Sequence, residues 1–91
     1  MKKMIVSIPE LQTDIKIEWV DEELPTAGDV LCVTYFLEEN SYEELNRKMV
    51  KIEKYTDIPI GGFLDLFPPL VKTCTYNTKR QAYEITCQLN Y

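Results

Sequence analysis

Histidine is absent from the chain, and with it go the commonest general base and the commonest metal ligand at neutral pH. Cysteine is sparse: Cys32, Cys74 and Cys87 are far apart and form no CxxC pair. Three thiols at that spacing do not make a structural zinc site. An odd, scattered set also fits free thiols in a reducing compartment better than a disulfide framework. A nucleophilic cysteine needs a nearby cation or helix amino terminus and some exposure. Cys32, within the apolar stretch 29–37, and Cys74 and Cys87, on the inward faces of the last hairpin, read as small buried hydrophobes instead. Glycine is scarce too, and Gly61-Gly62 precedes no Lys-Ser/Thr, so no phosphate loop is marked. No apolar run approaches the roughly 20 residues of a membrane span, and Met1-Lys2-Lys3-Met4 does not open a signal peptide. These absences predict a cytoplasmic protein with no metal, no cofactor and no catalytic constellation.

What is present is a globular composition, 45% hydrophobic with a net charge of −5. Ninety-one residues make one domain, 1–91, with room for one modest core. The charge is unevenly spread, with eleven acids against three bases in residues 1–45 and four against seven in 46–91. A globally acidic chain disfavours binding of nucleic acid through its phosphates. The basic residues Arg47, Lys51, Lys54, Lys72, Lys79 and Arg80 have as aromatic companions only tyrosines expected in the core. The runs Asp21-Glu22-Glu23 and Glu38-Glu39 read as solvated loop acids, or as a face for a basic partner.

Asp29–Leu37 is apolar at both alternate sets of positions, which predicts a central strand covered on both sides. Ser41-Tyr42-Glu43-Glu44 has capping-box spacing. Tyr42, Leu45, Met49, Ile52 and Tyr55 then fall on one helical stripe, with Glu43–Arg47 and Glu44–Lys48 as four-residue charge pairs opposite. The expectation is one amphipathic helix from Ser41 to Thr56. Hairpins flank this unit. Met4–Ile8 and Asp14–Val20 join through a loop at 9–13, and Leu70–Asn77 and Ala82–Tyr91 join through Thr78–Gln81. In the second hairpin the alternation sets Tyr76 opposite Tyr83, Cys74 opposite Ile85 and Leu70 opposite Leu89. The predicted fold is α+β, in the order β-β-β-α-β-β: an antiparallel or mixed sheet of about five strands with one helix on one face.

One helix does not cover both faces of such a sheet. The stretch 58–70 (IPIGGFLDLFPPL) is the obvious remedy, either as cover within the chain or as a contact for another chain. The reading that follows is a non-enzymatic protein-interaction module, an inhibitor or regulatory adaptor that self-associates as a homodimer or binds another protein. Its contact residues would be Ile60, Phe63, Leu64, Asp65, Leu66 and Phe67, supported by the acidic amino-terminal half. The alternative is a regulatory domain that binds a small molecule between helix and sheet.

Overall fold

A computed structural model describes residues 2–37 and 40–90; Glu38 and Glu39 lie outside the described residues. Among these, the architecture is α+β: a single mixed four-stranded sheet and two α-helices. Strands β1 (Lys2–Ile8) and β2 (Thr13–Trp19) form the first hairpin, with Ile8 opposite Thr13. Strands β3 (Leu70–Asn77) and β4 (Ala82–Gln88) form the second. The hairpins join through β1 and β4, which run parallel with Val6 opposite Ile85, so the sheet order is β2-β1-β4-β3.

Strict alternation decides which face is buried. Met4, Val6 and Ile8 on β1, Ile15, Ile17 and Trp19 on β2, and Ile85 and Cys87 on β4 all point into one core. The opposite face carries Lys3, Ile5 and Ser7, then Asp14, Lys16 and Glu18, then Glu84 and Thr86, all exposed or half-buried. That face is polar apart from Ile5 and the small, buried Ala82, and needs no cover. The expected demand for two-sided cover therefore disappears: the central strands are β1 and β4, and both are one-sided.

In the second hairpin Tyr76 lies opposite Tyr83 and Cys74 opposite Ile85, across a four-residue loop from Thr78 to Gln81, as the alternation requires. Farther along, the register shifts between Val71 and Thr73, so Leu70 meets Gln88 rather than Leu89. The physical reason is Lys72. Unbroken alternation would turn this lysine toward the core; a bulge there exposes it and lets Val71 face inward at 2% exposure.

The middle of the chain departs most from expectation. Asp29–Leu37 is not a central strand. It touches the sheet edge through a single bridge, Val30 to Leu70, supported by Val71 N–H to Asp29 O (2.8 Å) and Leu31 N–H to Pro69 O (2.9 Å). Pro68 and Pro69 have no N–H to donate, so the ladder stops there and the chain turns into a 3-10 turn over Val33–Phe36. This removes the fifth strand. The double apolar pattern arises because Leu31 and Val33 enter the core while Val30, Cys32 and Tyr35 stay exposed.

The single long helix is also corrected. Helix α1 spans Ser41–Asn46 only, with Asn40 as its N-cap and no side-chain cap bond, so the capping box does not form. Neither four-residue charge pair closes; the ion pairs among the described residues are those of Arg80 with Asp14 and Glu84. Beyond Asn46 the chain is extended. Met49 bridges Pro59, Val50 N–H donates to Ile58 O (2.8 Å) and Ile60 N–H donates to Lys48 O (3.0 Å). Val50 takes the buried place, at 1% exposure, while Met49 points out. The stretch Val50-Lys51-Ile52 has period two with β-branched residues, a strand-like pattern that the helical stripe obscured.

Residues 58–70 hold the second helix, α2 (Ile60–Leu66), which packs on α1. The approach is close at Gly61, where an added Cβ would lie 2.9 Å from Tyr42 Cε2 and closer still to Asn46 Oδ1. Asn46 Oδ1 in turn accepts the Gly62 N–H at 3.1 Å. At Gly62 an added Cβ would meet nothing within 4 Å. The two neighbours should therefore respond oppositely. Gly62→Ala should raise stability by about 0.5–1 kcal/mol through helix propensity, and Gly61→Ala should lower it by about 1–3 kcal/mol through overpacking. Urea denaturation of the two variants is the check.

Candidate functional site

Helix α2 carries the residues expected to contact a partner, and it divides them sharply. Ile60, Phe63 and Leu64 are buried, with Phe63 at 0% exposure. Phe67 is half-buried in an aromatic cluster, its ring centroid 5.1 Å from both Tyr55 and Phe63. Asp65 and Leu66 are exposed, Leu66 at 70%. A partner meeting the folded protein at α2 therefore reaches Asp65, Leu66 and the rim of Phe67, while Ile60, Phe63 and Leu64 serve the core. Asp65 is held as well: Thr34 Oγ1 donates to its Oδ1 and Tyr42 OH to its Oδ2, the latter at 2.8 Å. It ties the 3-10 turn and α1 to α2.

A concave surface lies elsewhere, where the chain leaves β2. Trp19 is anchored by its indole N–H, which donates to Glu23 O at 2.9 Å, and by Phe36, whose ring centroid lies 4.5 Å away. The chain then rounds Asp21–Pro25 and closes with a turn at Thr26–Asp29. There Asp29 Oδ2 accepts from Thr26 N (2.9 Å) and Oγ1 (3.1 Å). Gly28 sits in this turn at φ +95°, a conformation that favours glycine. It also donates its N–H to Val71 O (2.8 Å), which fastens the loop to β3.

These ties hold open a groove of about 650 Å³ lined by Trp19, Asp21, Glu22, Glu23, Leu24, Pro25, Asp29, Val30 and Leu31. Four of the nine lining residues are acids and none is basic. The carboxylates of Asp21, Glu22 and Glu23 make no hydrogen bond or ion pair with any described residue. Between them lies apolar surface, with Val30 at 57% exposure and Leu24 at 36%. The sequence shows the acidic run, as solvated acids or a face for a basic partner, but not that it lines a groove. Its concavity depends on the Val30–Leu70 bridge, which carries no local signal.

A smaller cleft of about 360 Å³ separates α1 from β2, lined by Ile15, Leu37 and Leu45 with Asp14, Lys16, Glu44 and Lys48 around them. The thiols lie apart from both clefts and all are free: Cys32 is exposed, Cys74 half-buried and Cys87 buried. Burial pushes the Cys74 thiol up. Burial, with a lesser contribution from the Glu10 carboxylate, pushes Cys87 up to about 12. Among the described residues no cluster of cysteine and carboxylate side chains has the arrangement of a metal site, and no helix is long and apolar enough to cross a membrane. Compared with models of known protein families, with curated proteins and with solved structures, the chain matches none.

Two predictions follow from these placements. Phe63→Asp should abolish folding, since an unpaired carboxylate in the core costs several kcal/mol, whereas Leu66→Asp should leave the circular dichroism and melting temperature close to wild type. For Cys87 the neutral form is favoured by folding, so its stabilising effect is complete below the ordinary thiol value of 9.0 and declines as pH rises toward about 12. Above pH 9 the wild type should lose stability more steeply than Cys87→Val, with the gap read from denaturation midpoints at matched pH.

Proposed function

We propose that this protein is a non-enzymatic binding module that receives a basic, partly apolar segment of another protein in the groove between Trp19 and Leu31. The observation that carries this reading is the grouping of three carboxylates, none of them in an ion pair among the described residues, with exposed apolar surface in one concavity; the Lys2 ammonium reaches only the backbone oxygen of Glu22. Lysine or arginine side chains of a partner would meet Asp21, Glu22 and Glu23, and its apolar side chains would rest on Leu24, Pro25 and Val30. Complementary charge of this kind sets the partner's orientation and speeds encounter, while the apolar floor holds it. Asp65 and Leu66 on α2 remain a second exposed contact for a larger partner. An inhibitory or adaptor role suits a domain that binds through such a surface.

Trp19 is the only tryptophan in the chain and lines the groove, so its fluorescence reports occupancy directly. Titration with a synthetic lysine-leucine peptide should shift the emission, and the same peptide with glutamate for lysine should not. Asp21→Asn, Glu22→Gln and Glu23→Gln together should weaken binding at least about tenfold, equivalent to about 1.4 kcal/mol. Added salt should weaken the wild-type complex, because the carboxylates are exposed. Equal binding of both peptides, or indifference to the triple substitution, would discard the reading.

The alternative of a small-molecule-binding regulatory domain is supported by the α1–β2 cleft, which lies between helix and sheet. Its rim alternates in charge, with Asp14 and Glu44 beside Lys16 and Lys48, and so favours a small zwitterion. A thermal-shift screen with such compounds distinguishes it from peptide docking in the groove.

A further inference from the structure

We propose that the free edge of β3 pairs antiparallel with the same edge of a second copy, joining the two sheets into one. Strand β3 is bonded to β4 on one side only. On its other side the backbone bonds end at Val71, which exchanges them with Gly28 and Asp29. From Thr73 to Asn77 that side has no backbone partner among the described residues. Successive residues of a strand send their N–H and C=O groups to alternate edges, so a row of donors and acceptors faces outward here.

The two edges of this sheet differ in how they are guarded. Edge strand β2 carries Asp14, Lys16 and Glu18 on its open face, and Leu37, α1 and Lys48 line a cleft beside it. On β3 the guards, which are the prolines before the strand and the bulge at Lys72, all stand at one end. The remainder, Thr73-Cys74-Thr75-Tyr76-Asn77, has no charge and no proline. Such an edge is a template for pairing.

The edge is self-complementary, which selects a second copy as its occupant. A two-fold axis through Thr75 sets Thr75 opposite itself, Cys74 opposite Tyr76 and Thr73 opposite Asn77. No like charges meet in that register, Lys72 falls beyond the paired stretch, and threonine pairs and sulfur–aromatic contacts are favourable neighbours. With the axis perpendicular to the sheet, both covered faces lie on one side. Cys74 and Tyr76, left half-buried and exposed by the layer above, then pack across the joint. None of the groove residues takes part, so this inference stands apart from the peptide-binding reading.

Sedimentation of the full chain up to about 1 mM, the weak end of specific association, should show a monomer–dimer equilibrium. Thr75 is exposed, so Thr75→Lys should fold normally by circular dichroism. It places two lysines face to face on the axis and should weaken the dimer at least about tenfold. Thr73→Lys, one position along the same face, should act in the same direction and serves if Thr75→Lys lowers the melting temperature. Glu18→Lys on the opposite edge should leave dimerisation unchanged. A wild type that stays monomeric throughout the range would leave the edge open to a strand of a different protein and overturn the proposal. So would a dimer that both threonine variants leave intact.

Discussion

Burial of α2 against the covered face of the sheet is the contact on which the middle of the chain depends. Seven residues are too few to hold a helix in water, so α2 exists because Ile60, Phe63 and Leu64 leave solvent, each gaining roughly 1.5–3 kcal/mol. Five of the bonds that shape residues 31–37 and 40–60 end on it or beside it. Thr34 and Tyr42 donate to Asp65, Asn46 accepts from Gly62, Ile60 donates to Lys48 O, and Leu31 donates to Pro69 O. Remove the helix and these segments have little else to fold against. The dependence is mutual, since α1 and the Val33–Phe36 turn wall in the same side chains.

That dependence explains what could and could not be read from the residues alone. Both hairpins were legible because their information is local: period-two alternation, a short loop, and apolar positions whose registers must agree. Tyr76 against Tyr83 follows from those three constraints. The Lys72 bulge does not, because it reflects a competition between Lys72 and Val71 for one inward position. In the middle of the chain, local propensity and tertiary context disagree. Ser41–Thr56 has the composition of a helix, yet Asn46 is drawn to the Gly62 amide and Val50 to the core, and the chain straightens. Asp29–Leu37 has the composition of a strand, but its neighbours are prolines. The acidic residues of the groove were visible as a run; their grouping around Trp19 and Val30 depends on contacts between residues far apart in sequence.

The fold sorts its surface into regions of distinct chemistry. One sheet face is polar and bare, with Lys3 opposite Glu18 and Lys16 opposite Ile5, an arrangement that keeps water on that side without apolar penalty. Covering the other face is a layer that is mostly irregular and held by a few directed bonds. The concave acidic surface forms where that layer meets the end of β2, and the unguarded strand lies beyond its fastening to β3. The carboxylates of the groove and the outer edge of β3 lie outside the core, which is closed by Phe63, Leu64, Val33 and Leu31. Substitutions at these surfaces can therefore change binding while leaving the domain folded.

The parallel pairing of β1 with β4 has a consequence for how the chain is made. The first hairpin can form on its own within about 1–10 μs, long before its neighbour in the sheet has been synthesised. Until β4 emerges, one side of β1 has no partner, and its apolar face waits for a helix from the middle of the chain. Contacts between such distant parts of a sequence form late in folding. A chain interrupted by a premature stop or a proteolytic cut before Ala82 would hold a formed hairpin with an open inner edge. Such fragments are well suited to stick to one another, and removing them would fall to the cell's quality control.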